Sequence, residues 1–242
     1  MQRKQEVATS PVGLSDAYAY LQKLVGIVAF LMPFVIAVGD CIIDGHAIRG
    51  SMSAYYYGRT GGYFVGSMCA LGVFLISYQH HPLRGHESDR RLAVAAGTLA
   101  IMVALFPTSS DGAAATDGAA TIAAIHIWSA GALFVLLGAF SLYMFTKTEG
   151  EITSAMTWKE RLLRVFRTTP VAKQTMTCRK RQRNVVYRVA GWLILGSIAA
   201  IGVTNLFHQQ LAFWFESIAT VSFGAAWLVK GSFLGILKDP PN

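Results

Sequence analysis

Ala119-Ala120-Thr121-Ile122-Ala123-Ala124-Ile125-His126-Ile127-Trp128-Ser129-Ala130-Gly131-Ala132-Leu133-Phe134-Val135-Leu136-Leu137-Gly138-Ala139-Phe140-Ser141-Leu142-Tyr143-Met144-Phe145 decides how the rest of the chain is read. His126 is its one acidic or basic side chain. At about 1.5 Å per residue, a helix over this stretch outspans the roughly 30 Å hydrocarbon core of a bilayer. Five further apolar runs flank it, at residues 24–38, 61–78, 92–106, 189–207 and 211–229. The run at 24–38 and the run at 92–106 are short and need interfacial residues to complete a crossing. The last two are joined by a very tight turn and predict an antiparallel hairpin. The fold expected is an all-α bundle of six transmembrane helices forming a single membrane domain.

Composition agrees. The 242 residues are 53% hydrophobic and 14% charged, with a mean hydropathy of +0.43, whereas a soluble domain carries about 25% charged residues. A net charge of +8 and a pI near 9.6 would suit nucleic acid. Long apolar runs in place of amphipathic stripes exclude a soluble nucleic-acid binder, so no nucleic-acid partner is expected.

The positive charge instead fixes orientation, because short loops rich in Lys and Arg stay cytoplasmic. All but Arg49 and Arg59 of the 21 Lys and Arg residues fall on one side of a six-span topology. Both termini are therefore expected in the cytoplasm, with 39–60, 107–118 and the 208–210 turn outside. Ala- and Gly-rich spans with compact loops suit a bacterial plasma (inner) membrane. The first run ends in Val38-Gly39-Asp40-Cys41 with no small-x-small site, so it reads as an anchor and not as a cleaved signal. Cys41, Cys69 and Cys178 are separated by this topology, which forbids a disulfide among them.

No repeat of 20 to 50 residues and no inverted half-repeat is visible. The large cytoplasmic loop, 146–188, is basic. Within it, residues 157–167 set Trp158, Leu162, Leu163, Val165 and Phe166 against basic residues, a pattern for a helix lying in the anionic inner leaflet. These charges have two readings, topology alone or recognition of lipid or partner. His80, His81 and His86 with Glu87 and Asp89 read as a solvated turn.

The outer side is dense in polar groups. The 39–60 loop carries Asp40, Asp44, His46, Arg49, Ser53, Tyr55, Tyr56, Tyr57 and Arg59. Asp111, Asp117, His126, Asn205, His208 and Glu216 fall on the same side. Four segments are expected to converge on one outward-facing polar pocket. An ionisable residue inside the hydrocarbon is costly and marks function by default, which singles out Glu216 and His126. They either pair to fix helix packing or work in the pocket. Ser53, Tyr56, Arg49 and Arg59 complete the candidate ligand set, the two arginines being the only outer cations for a lipid phosphate. The tyrosines suit interfacial anchoring in the first place, and the wall of a headgroup site in the second. His46, His126 and His208 with Asp44 or Asp111 supply the ligand types of catalytic zinc, although no i, i+4 pair presents two ligands on one helix face. No Gly-x-Ser-x-Gly elbow, P-loop or Rossmann fingerprint sits in a strand-turn-helix context.

Ser51-Met52-Ser53-Ala54-Tyr55-Tyr56-Tyr57, His126 followed by Ser129-Ala130-Gly131-Ala132, and Glu216 together resemble the six-span DRAM-like superfamily of autophagy modulators, GPI-lipid-remodelling proteins and bacterial members. Phe223-Gly224-Ala225-Ala226-Trp227-Leu228-Val229-Lys230-Gly231 looks like the ending of its bacterial representatives. The resemblance implies a lipid-related role without an assigned catalytic chemistry. A weaker likeness is to seven-span alkaline-ceramidase-type hydrolases, in which Ser53, Asp44 or Asp111, His46, His126 and His208 would fill the Ser, Asp and three zinc-ligand His roles. Six spans and the lack of paired histidines on the last helix depart from that pattern. Three functions follow as expectations. The first is binding of a lipid or lipid-linked partner in an outward-facing polar pocket. The second is a zinc-dependent hydrolase of a lipid amide or ester. The third is a non-catalytic subunit of a membrane complex, whose small residues Gly191, Gly196, Ala199, Ala200 and Gly202 allow close helix approach within the chain or in a homo-oligomer.

Overall fold

A computed structural model describes residues 14–45, 47–78, 87–108, 117–146, 178–206 and 211–231. These are almost wholly helical. The long helices are α1 (Leu14–Asp44), α2 (Gly61–Ser77), α3 (Glu87–Leu105), α4 (Asp117–Ala139), α5 (Cys178–Leu206) and α6 (Ala212–Lys230), and a short 3-10 helix, Ser53–Tyr57, lies between α1 and α2. No strand occurs among the described residues. Among the described residues, four segments are long and apolar enough to cross a membrane: Tyr20–Asp44, Asp117–Met144, Cys178–Thr204 and Ala212–Lys230. Gly61–Ser77 is apolar but shorter. α3 opens on Glu87, Asp89, Arg90 and Arg91, which leaves its apolar part short.

Helix ends depart from the hydropathy runs in physically readable ways. α1 continues past Val38 to Asp44, carrying Asp40, Cys41 and Asp44 into the helix where a loop was expected. It stops at Gly45, whose φ of 67° places it in the left-handed region open to glycine, with its N–H on Cys41 O at 3.0 Å. α5 is already helical at Cys178, so Arg179, Lys180, Arg181, Arg183 and Arg188 lie in the helix and not in the tail of a loop. The inner-leaflet helix expected at 157–167 lies outside the described residues. α4 ends in a π-helical turn, Phe140–Met144, closed by the Phe145 N–H on Phe140 O at 3.2 Å.

The helices form a closed ring in chain order. Each packs on the next, and α6 returns to pack on α1. Facing glycines bring the backbones together. A Cβ on Gly72 of α2 would sit 2.7 Å from Gly97 O of α3, and one on Gly97 would sit 2.5 Å from Gly72 O. At the α1–α6 seam, a Cβ on Gly224 would meet Phe30 N at 2.5 Å and Gly26 O at 2.8 Å. Such contacts let helices approach where burial of apolar surface from water supplies no driving force. Gly191 does the same against Leu142 of the π turn, whereas nothing lies within 4 Å of Gly196 or Gly202.

One end of the ring is filled by aromatic rings around Trp227, which is fully buried. Phe74, Tyr78, Phe145 and Phe223 meet its indole nearly edge-on at centroid distances of 5.1 to 6.0 Å, a geometry that opposes ring edge to ring face. Large apolar side chains such as Phe34, Val73, Leu105 and Trp128 stand exposed on the ring's outside.

Gly97→Val is expected to push α2 and α3 apart and to cost about 1–3 kcal/mol, the usual range for overpacking, seen as a fall of a few degrees in the melting temperature. Gly196→Ala, where space is open, should leave the melt unchanged; equal effects of the two would refute the close-approach account.

Candidate functional site

The 47–60 segment lies across the ring at the end opposite the aromatic floor, and its irregular backbone is tied down at each stage. Arg49 bonds Asp40 through Nε at 2.8 Å and Nη2 at 3.4 Å, and Asp40 is 1% exposed. Gly58 is needed beside this pair, because a Cβ there would run into the Asp40 carboxylate. The Arg49 N–H donates to the Tyr55 hydroxyl at 3.1 Å, and the guanidinium lies 5.6 Å from the centre of the Tyr55 ring. Burial pushes the Tyr55 phenol above its ordinary value, more than the Arg49 backbone hydrogen bond lowers it. Tyr55 therefore stays a neutral acceptor for that N–H.

Further along, Gly50 O accepts from Phe213 N–H at 2.8 Å, satisfying a donor in the first turn of α6. Glu216 then reaches back: its Oε2 accepts from the Met52 N–H at 2.6 Å. Ser51 Oγ accepts from Ala54 N–H at 3.2 Å and lies 3.2 Å from Ser53 Oγ, opening the 3-10 helix. Tyr57 donates its hydroxyl to Thr108 O at 2.7 Å, and Thr60 donates to Ile36 O at 3.3 Å.

Beneath this segment is a small cavity of about 60 Å³ lined by α1, α2, α3, α4 and α6 with Met52 and Ser53. Its polar lining residues are Ser53, His126, Glu216 and Thr220; the rest are apolar, from Phe64 and Val103 near the polar end to Leu75 and Leu137 at the far end. One turn beyond Leu75, Leu137 and Phe223 come Tyr78, Phe140 and Trp227, so the aromatic cluster is the cavity's floor. His126 Nδ1 lies 2.7 Å from Phe106 O. A carbonyl only accepts, so Nδ1 carries a proton. Thr220 donates to Glu216 O at 2.7 Å, which leaves its oxygen free to accept. Pro33 in α1 has no N–H, so the Ala29 carbonyl, at another lining position, lacks its helical donor.

Of the residues singled out in the sequence, the fold brings Glu216, His126 and Ser53 to one cavity. Glu216 and His126 share no ion pair; each has taken a backbone partner instead. Tyr56 packs against Tyr57 at 5.1 Å and does not line the cavity. Arg49 is held by Asp40, and Arg59, 74% exposed, lies 3.4 Å from Asp44. Neither arginine lines the cavity. His46, Asp111 and His208 lie outside the described residues, among which no three His, Cys, Asp or Glu side chains gather as a metal site. Ser53 makes no hydrogen bond to His126 or Glu216 among the described residues. Sequence reasoning missed the Asp40–Arg49 link, Met52 and Thr220. Asp40 carried a readable signal, an acid two residues past an unbroken apolar run. A scan against protein-family models gives no match, nor do searches of curated proteins and of solved structures.

Arg49→Met should strand the buried Asp40 carboxylate and cost about 3 kcal/mol, whereas Asp40→Asn with Arg49→Met removes both charges and recovers a good part of the loss. Thermal melts of the single and double variants measure this, and a double variant no more stable than Arg49→Met would contradict it.

Proposed function

We propose that the chain crosses the plasma membrane of a bacterium six times, with both termini in the cytoplasm, and holds a lipid between its helices with the polar end of the site facing outward. One observation carries the reading: Glu216, His126 and Ser53, on three different segments, bound the polar end of a single cavity whose remaining lining, Thr220 apart, is apolar. Intramembrane ionisable residues that face a shared interior cavity are the arrangement expected of a working site, and an apolar cavity with a few placed polar groups is what small apolar ligands require. The lipid-related role implied by the DRAM-like resemblance points the same way. The α3 crossing is completed by interfacial residues, since Arg90 and Arg91 at its start reach headgroups while their stems cover apolar surface.

Two measurements test this. Protein extracted directly into polymer-bounded native discs should carry one lipid species well above its bulk proportion, and Ala130→Leu, which narrows the cavity, should lose that enrichment. A bulk-like lipid profile in the unmodified protein would end the lipid-binding reading. Separately, a membrane-impermeant maleimide applied to intact cells should label Cys41 and spare Cys178 until the cells are opened, both thiols being exposed in the fold; the reverse pattern would invert the orientation.

A further inference from the structure

Between Cys178 and Arg188, α5 carries Arg179, Lys180, Arg181, Arg183 and Arg188, and no acidic residue occurs anywhere along it. Sidedness in a membrane asks only that such charges lie at one end of a span; their distribution around the helix is a separate matter. At 3.6 residues per turn they divide between faces. Lys180 and Arg183 share the ring-facing side with Tyr187, whose ring packs on Phe145 at 5.3 Å, and Lys180 Nζ donates to Phe145 O at 3.5 Å. Arg181 and Arg188 stand one above the other on the face turned away from the ring, with Val185 between them, and all three are exposed. Neither arginine makes an ion pair among the described residues. The same face runs on through Val189, Trp192 and Leu193, also exposed, to Gly196, where nothing lies within 4 Å of an added Cβ.

Depth gives these two arginines a use. The 29 residues of α5 span about 43 Å at about 1.5 Å per residue, against roughly 30 Å of hydrocarbon. With Leu206 at one boundary of the hydrocarbon, the other falls about twenty residues back, next to Arg188. Helical side chains lean toward the N-terminus of their helix, so Arg188 reaches out of the hydrocarbon into the headgroup layer where Arg181 stands, its stem lying over apolar surface. Two guanidinium forks at the depth of lipid phosphates match phosphate oxygens, and the exposed apolar residues beneath them match an acyl chain. With no acid on α5 to receive an ammonium group, a head of net negative charge fits better than a zwitterionic one. A free phosphate would leave the apolar stretch unused. A second copy packed symmetrically on this face would set each arginine near its own counterpart, and like charge opposes that occupant.

We infer that the face of α5 turned away from the ring binds the phosphate of an anionic phospholipid through Arg181 and Arg188, with an acyl chain along Val189, Trp192 and Leu193. The inference rests on α5 crossing the bilayer, and not on what the cavity between the helices holds.

The test uses the full chain in nanodiscs of phosphatidylcholine with a minor share of phosphatidylglycerol, the lipids that stay with the protein being counted by native mass spectrometry. Phosphatidylglycerol should be retained saturably and well above its bulk proportion. Arg181→Gln and Arg188→Gln should each lower that enrichment about fivefold, the worth of one basic residue at an anionic surface. Both positions are exposed, so the fold should tolerate either change. Arg179→Gln removes the same charge from the far side of the helix and should leave the enrichment unchanged, as should Ala130→Leu, which alters the cavity. Equal losses in Arg179→Gln and Arg188→Gln would reduce the cluster to charge without arrangement and overturn the inference, as would retention of the two lipids in bulk proportion. Displacement of phosphatidylglycerol by excess glycerol phosphate would give the arginines to a soluble phosphate, and a lipid-free dimer broken by Trp192→Arg would give the face to a second copy; either overturns it. Loss of the enrichment in Ala130→Leu would place the retained lipid in the cavity, overturning this inference while leaving the lipid-binding reading intact.

Discussion

Irregular backbone packed against a helix bundle must find a partner for each of its N–H and carbonyl groups, and the 47–60 segment meets that demand by borrowing from the helices beneath it. Glu216 gives an oxygen to Met52 N–H and Phe213 gives its N–H to Gly50, while within the segment the Tyr55 hydroxyl takes the N–H of Arg49. An unsatisfied buried amide costs a few kcal/mol, so these links fix where the segment lies. Its position decides which side chains, Met52 and Ser53, bound the cavity, and which, Arg49 and Arg59, are turned elsewhere.

The same bonds explain an apparent paradox of charge. A carboxylate buried at Asp40 and another side chain ionisable at Glu216 sit one above the ring and one within it, yet only Asp40 has a cation. Arg49 answers Asp40 through two of its fork nitrogens and lies over Tyr55 besides, using the planar geometry that distinguishes Arg from Lys. With that cation spent on Asp40, the polar lining of the cavity among the described residues is Ser53, His126, Glu216 and Thr220.

How much of this was legible in the sequence divides along a physical line. The positions of the six long helices followed from apolar run length, and the weight given to Glu216 and His126 followed from the expense of ionisable groups in hydrocarbon; both are local properties. Helix ends were less legible. α1 runs on to Asp44, with Asp40 held by Arg49, and α5 is helical through the basic residues from Arg179 to Arg188 because Lys and Arg are good helix formers. The phosphate expected at Arg49 and Arg59 rested on their being the only outer cations; the neighbours that occupy them, Asp40 and Asp44, stood in the same quoted loop, but pairing across a turn is tertiary information. The facing glycines Gly72 and Gly97, or Gly26 and Gly224, are ordinary small residues until two helices are brought together.

The seam between α1 and α6 also has a history in time. Gly26 leaves the ribosome long before Gly224, yet their backbones touch in the finished ring. At roughly 5–20 residues per second, synthesis separates them by about 10–40 s. During that interval α1 has its α2 neighbour but presents its other flank, including the Gly26 notch, to whatever surrounds it. Until the last helix is made that notch lacks the α6 backbone that fills it, and a chain released before then would carry an open seam.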